Sequence, residues 1–189
     1  MKSCQALIIG GSAGSLEVLL KVLPNLRRDL SFPIILVMHR KSGKDSLLTD
    51  LLSAKTQLSV KELEEKEKIR PATIYIAPPG YHVLIENDHT FSLDASEKVN
   101  FSRPSIDVSF ESAAEVYGES LVCLLLSGSN RDGAAGLKKA KAAGGTAVIQ
   151  DPASALVAYM PEQGALEAKI DAVLEIEEMS NYINELSNA

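Results

Sequence analysis

Two cysteines and three histidines are all that 189 residues contain, and that scarcity closes off several functions. Cys4 and Cys123 lie inside apolar runs, as reduced core cysteines do, rather than at the spacings of a disulfide framework. Two sulfurs with no clustered histidine do not make a zinc site, so no metal is expected. No apolar run approaches the roughly 18–20 residues that span a bilayer, and Lys2 is not followed by the apolar segment and cleavage site of a secretory signal. Cations are outnumbered, 19 Lys and Arg against 25 Asp and Glu, for a formal charge of −6. Affinity for nucleic acid comes largely from Lys and Arg neutralising phosphates, so no nucleic-acid partner is expected. The absences together predict a cytoplasmic protein that does not insert into a membrane.

What is present fits one globular domain. A hydrophobic fraction of 46% with 23% charged residues lies near the average for compact proteins and suggests neither disorder nor a coiled coil. No linker, internal repeat or low-complexity segment divides the chain.

The opening stretch Ala6-Leu7-Ile8-Ile9-Gly10-Gly11-Ser12-Ala13-Gly14-Ser15-Leu16 reads as a buried strand, a glycine turn and a helix. The helix carries Leu16, Leu19, Leu20 and Leu23 on one face, with Ser15 as its expected cap. A second buried strand over residues 32–38 ends abruptly at His39-Arg40-Lys41. Residues 45–52 predict a helix behind an Asp45 cap, and the dense charge of 61–70 predicts a solvated surface. Residues 73–77 predict a strand, and the segment from Tyr81 to Leu93 around Asn87-Asp88 predicts a hairpin. A helix opened by Ser105-Ile106-Asp107 stops at Gly118. The most apolar strand follows over 121–126 and empties into Ser127-Gly128-Ser129-Asn130-Arg131-Asp132-Gly133. An alanine-rich helix over 134–143, a strand over 146–149, a helix with Pro161 at its first position, an edge strand over 172–174 and a closing helix over 179–186 complete the chain. Strands alternating with helices define an α/β protein, a doubly wound and mostly parallel sheet with helices on both faces and the hairpin as its antiparallel exception.

Ligands of such sheets bind beyond the carboxyl ends of the strands, and three strand ends here carry Ser12, His39 and Asp132. A serine hydroxyl becomes a nucleophile when an imidazole takes its proton, and the imidazole needs an acid to fix its tautomer. The Ala13 N–H at the helix start is a candidate donor to a developing oxyanion. Each residue also has a plainer role: Ser12 as a turn residue, His39 as an exposed loop histidine, Asp132 as the cap of the following helix. The order Ser, His, Asp and the sequence Gly10-Gly11-Ser12-Ala13-Gly14 differ from the G-x-S-x-G elbow of the α/β-hydrolases. Dinucleotide binding also opens with strand, glycine turn and helix. Its fingerprint, however, needs glycines where Ser12 and Ser15 stand, and an acid where His39 ends the second strand.

At these residues the chain resembles the protein-glutamate methylesterases of bacterial chemotaxis, specifically the CheB-type catalytic domain. The likeness runs through Ile9-Gly10-Gly11-Ser12-Ala13-Gly14, His39, Ile76-Ala77-Pro78-Pro79-Gly80-Tyr81-His82 and Arg103-Pro104-Ser105-Ile106-Asp107. It continues through residues 128–136, Gly144-Gly145-Thr146 with Gln150-Asp151, and Met160-Pro161. It implies one catalytic domain over residues 1–189, standing alone without the receiver domain that often precedes it. Ser12 is then the nucleophile, His39 the general base and acid, and Asp132 the residue that orients His39. The implied reaction hydrolyses glutamate methyl esters on chemoreceptor cytoplasmic helices, releases methanol, and in many relatives also deamidates glutamines, with no cofactor. Arg40, His82, Arg103 and Ser129 are candidate substrate contacts. Two features depart from the family pattern. Ser129-Asn130 replace the Met-Gly of G-M-G-x-D-G, and Ala13 replaces a threonine. The first motivates an alternative reading, a catalytically impaired module that binds receptors or signalling proteins.

Overall fold

The computed structural model describes residues 3–40 and 46–188. Its centre is a seven-stranded sheet in the order β3-β4-β2-β1-β7-β8-β9, every neighbouring pair parallel. The strands are β1 (Ala6–Gly11), β2 (Ile34–Met38), β3 (Ser59–Glu62), β4 (Thr73–Ile76), β7 (Leu121–Leu125), β8 (Thr146–Gln150) and β9 (Ala172–Leu174). A separate antiparallel pair, β5 (His82–Ile85) with β6 (Phe91–Asp94), forms the hairpin. It is a small sheet of its own, whereas the sequence placed it as an exception within the main one.

The helices are α1 (Ser15–Val22), α2 (Ser46–Ser53), α3 (Ile106–Tyr117), α4 (Ala134–Ala142), α5 (Tyr159–Glu167) and α6 (Ile176–Glu185). Side chains of a strand alternate between its faces, and two cores follow that alternation. Leu7, Ile9, Ile34, Leu36, Val122 and Leu124 pack with Val18 and Leu19 of α1 and Met179 and Ile183 of α6. Ile8, Ile35, Val37, Cys123 and Leu125 pack with Ile106 and Phe110 of α3, Leu137 of α4 and Met160 of α5. The sheet is therefore covered on both faces, which is why its central strands read as unbroken apolar runs. Both cysteines are buried and unpaired.

Several local boundaries differ from expectation. Gly14, in the left-handed region, caps α1, and Ser15 is its first helical residue. The Ser15 hydroxyl instead donates to the Ser12 carbonyl at 2.6 Å. Pro161 is the third residue of α5, and α6 begins at Ile176 behind a Glu175 capping box. The charged 61–70 segment contains the end of β3, an edge strand whose side chains are exposed or half-buried. The predicted Asp45 cap lies outside the described residues. Among the described residues no helix is long and apolar enough to cross a membrane.

The chain builds β1, β2 and β4 towards one edge, then returns to the other side of β1 with β7. The strand order reverses between β1 and β7, and a crevice at the carboxyl ends of the strands is expected at such a point.

Candidate active site

The register of β1 with β2 ends at Gly11 opposite Met38, and the His39 N–H continues it by donating to the Gly11 carbonyl at 3.1 Å. Ser12 and His39 are the residues that follow this last pair, one rung beyond the paired register. On the other side the Ser12 N–H donates to the Ser127 carbonyl at 2.9 Å, tying the first turn to the loop after β7. Ser12 thus sits in the crevice, directly before α1.

Asp132 reaches the same place from that loop. Its carboxylate is fully buried and accepts from His39 Nε2 at 2.7 Å, while the imidazole keeps 13% of its side-chain surface exposed. Four further donors converge on the carboxylate. Ser105 Oγ donates at 2.7 Å, the Ile106 N–H at 2.7 Å, the Asp107 N–H at 3.1 Å and Asn100 Nδ2 at 3.2 Å. The sequence allowed Asp132 as the cap of the helix that follows it. That helix is capped by Gly133, whose φ of 98° suits glycine, and the Asp132 carboxylate sits instead at the start of α3. A helix N-terminus offers free N–H groups and a positive dipole end to an anion. Burial alone would raise the Asp132 carboxyl, but the bonds from His39, Ile106, Ser105 and Asp107 outweigh it and hold the group below its ordinary range.

An ionised Asp132 fixes the ring. Nε2 carries the proton that the carboxylate accepts, so Nδ1 keeps the lone pair and is the basic atom. The group beside Nδ1 is Ser102 Oγ at 3.4 Å. Among the described residues no hydrogen bond joins Ser12 Oγ to the ring. Catalytic contacts of this kind are commonly loose until substrate binds.

α3 can come this close because β1 has no side chain at Gly10. A Cβ there would lie 2.4 Å from Ile106 Cγ2.

A cleft of about 520 Å³ opens on the exposed side of His39, lined in part by Arg40, Lys98, Ser102 and Arg103. Arg40 is 12% exposed and donates to Glu62 and to the Ala77 carbonyl, both at 2.9 Å. Arg103 donates to the carbonyls of Ala95 and Ser96, and its buried Nε has no hydrogen-bond partner among the described residues. Ser129 is exposed on the loop before Asp132. His82 requires a correction to the candidate substrate set. It is 1% exposed, Nε2 lies 2.8 Å from the Glu97 carbonyl and Nδ1 accepts from the Ser105 N–H at 3.1 Å. Both ring nitrogens are committed, Nδ1 to the residue before α3 and Nε2 to the loop after β6, which leaves none for a substrate.

Asn100, Ser102, Ser105 and Asp107 belong to the site and were not singled out for it from the sequence. Only Ser105 and Asp107 carried a signal, at the opening of a helix pattern and within the Arg103–Asp107 stretch of the resemblance. The altered loop is also built in. Asn130 Oδ1 accepts from the Asp132 N–H at 3.1 Å, and its Nδ2 lies 3.3 Å from Ser102 Oγ and 3.4 Å from the Asn100 carbonyl.

A doubly wound sheet with a serine and a histidine directly after two of its strands and a buried aspartate on the loop after a third has the architecture and the functional groups of a serine hydrolase. The chain belongs to the CheB methylesterase family, whose model matches residues 7–183. It is similar to a Thermotoga maritima protein named protein-glutamate methylesterase/protein-glutamine glutaminase, 33% identical over 187 residues, covering 97% of this chain and 54% of that one. A Leptospira interrogans relative, whose name assigns the same two activities provisionally, is 45% identical over 176 residues and is covered to 91% of its length. The crystal structure of the Thermotoga maritima CheB methylesterase catalytic domain matches with a TM-score of 0.93 at 33% identity, over 97% of this chain and 99% of that one.

Proposed function

We propose that Ser12, His39 and Asp132 act as nucleophile, general base and orienting acid in hydrolysing γ-methyl esters of glutamate side chains on chemoreceptor helices. The observation that carries this reading is the 2.7 Å contact between His39 Nε2 and Asp132, one rung from Ser12, in a chain of the CheB methylesterase family.

His39 Nδ1 takes the Ser12 proton as Oγ attacks the ester carbonyl. The tetrahedral oxyanion forms beside the Ala13 N–H and the start of α1, where a negative charge is favoured. The imidazolium, stabilised by Asp132, returns the proton to the departing methoxide, and methanol leaves. Water activated by the same Nδ1 then attacks the acyl-enzyme and releases the receptor's glutamate side chain as its carboxylate, with Ser12 regenerated. A glutamine side chain can follow the same course with ammonia as the leaving group. Lys98 and Arg103 line the cleft with cationic side chains that suit a partner rich in glutamate, with Arg40 beside them held by Glu62, and Ser129 stands on the loop facing substrate.

Purified protein incubated with methylated receptor is expected to release methanol, and the Ser12→Ala variant none above background. Equal release from both would overturn the mechanism.

A further inference from the structure

The helices α3 and α4 begin side by side and exchange carboxylates. Asp132, just before α4, accepts from the N–H groups of Ile106 and Asp107 at the start of α3. Asp107, in the first turn of α3, accepts in return from the N–H groups of Gly133 at 2.9 Å and Gly136 at 2.7 Å at the start of α4. Asn100 links the two, its Nδ2 donating to Asp107 at 2.7 Å and to Asp132 at 3.2 Å. Each carboxylate anchors the helix that carries or follows the other.

We propose that Asp107 is a positioning residue for the esterase, holding the start of α4 and sharing Asn100 with Asp132 so that the acid stays aimed towards His39. The inference rests on the catalytic roles proposed above. Asp107 is 6% exposed and touches no reacting atom, so it acts only through Asp132. Burial, together with the Asp132 charge and against the Gly136 and Gly133 N–H groups, pushes its carboxyl up to about 6. It therefore changes charge near neutral pH while Asp132 stays ionised.

The titratable groups around it are few. Asp132 faces it from the loop before α4, His39 lies beyond Asp132, and His82 of β5 holds the neighbouring Ser105 N–H. β1 and β2 contribute none, and β7 only the buried Cys123. The α4 lysines lie past its first turn: Lys138 and Lys139 are exposed, and Lys141 is bonded to Asp171.

The test is Asp107→Asn, whose carboxamide oxygen can still accept from Gly133 and Gly136, with kcat and KM for methanol release measured from pH 5.5 to 9. The expected result is a loss of about tenfold or more in kcat with KM within about twofold, as for an interaction made only in the transition state. Loss of a nearby negative charge also makes the Asp132–His39 pair hold its proton less tightly, so the acid limb of kcat/KM moves to lower pH. A merely structural residue would scale the profile without moving that limb. Asn100→Ala removes the bridge and leaves α4 anchored, and it is expected to lower kcat in the same direction. Because Asn100 also donates to Asp132 directly, this variant tests the shared bridge; should Asp107→Asn not fold, Asp107→Ser, whose hydroxyl oxygen can still accept an N–H from α4, is read in the same way. The His39 Nε2 proton, followed by NMR, gives a readout independent of turnover, and its resonance is expected to move in both variants. Kinetic limbs, kcat and ring-proton resonance that match wild type would overturn the proposal. Absence of methanol release from wild type would overturn the catalytic reading instead, and the resonance would still decide the role of Asp107.

Discussion

Replacing Asp132 by Asn tests how the ring of His39 is used. The carboxylate oxygen Oδ1 receives three donors, from Ser105, Asp107 and Asn100, and Oδ2 receives two, from Ile106 and His39. An asparagine keeps its carbonyl oxygen where three donors converge and places its NH₂ where Oδ2 stood. That NH₂ then donates to His39 Nε2, which must give up its proton and become the acceptor. The proton moves to Nδ1, and the nitrogen that has to deprotonate Ser12 no longer has a lone pair. A wrong tautomer of this kind costs about 10⁴ in kcat, or about 5 kcal/mol in the barrier. The same NH₂ meets the Ile106 N–H donor to donor. One unsatisfied buried donor costs about 1–3 kcal/mol, a fall of roughly 5 °C in Tm for a chain of this size. The assay is methanol release from methylated receptor, at a temperature where circular dichroism shows the variant folded. A folded Asp132→Asn protein whose kcat stays within tenfold of wild type would refute the assignment of Nδ1 as the base.

Two further outcomes concern stability. Asp107, at about 6 when folded against an ordinary 3.8, binds its proton more tightly in the fold. Its contribution is complete below about pH 4 and is lost as pH rises through 6, a change of about 3 kcal/mol at about 1.4 kcal/mol per pKa unit. Asp132 acts in the opposite sense, its stabilisation present above about pH 4 and lost on acidification through its lowered folded value. Urea unfolding of Asp107→Asn should therefore show the variant gaining on wild type between pH 4.5 and 7.5, and a pH-independent difference would contradict the burial argument. Gly10→Ala should be destabilised by about 1–3 kcal/mol, as overpacked cores are. It should also lose activity, because the added methyl pushes Ile106 away and with it a donor to Asp132; unchanged kcat at full folding would count against that coupling.

How much of this was legible depends on whether the cause is local. β1, its glycine turn and the end of β2 were legible because a buried parallel strand is a run of apolar residues and its end is an abrupt change to polar ones. Ser12 and His39, directly after those two strands, followed from that alone. β3 was hidden because an edge strand needs no continuous apolar run, and Ser59-Val60-Lys61-Glu62 reads as surface. The hairpin was legible as two strands and a turn, but not which sheet it would join, since pairing partners are chosen by tertiary packing. Asp132 followed the same logic. Its position in the chain suggests a cap for α4, and only the packing of α3 beside α4 gives it a different helix to cap. Asn100 had no signal, being a left-handed residue in a short turn closed between Val99 and Ser102. Its importance comes entirely from groups 7 and 32 residues away.

The departure at Ser129-Asn130 bears on the impaired-module alternative, and the geometry gives that alternative no physical basis. All five donors to the Asp132 carboxylate come from His39, Asn100 and residues 105–107, and none comes from residues 127–131. The acid is held from across the site by α3, so the loop that delivers it is free to vary without turning it. Arg131 confirms the division, because its side chain leaves the site to bond Glu167 of α5 at 2.6 Å. Asn130 works inward, bonding the Asp132 N–H and reaching Ser102, the residue beside His39 Nδ1. Changes in this loop therefore act on the groups that surround the base and on the surface that meets substrate. Their expected effect is on which side chain is accepted and how it is seated, with the His39–Asp132 pair left as it is.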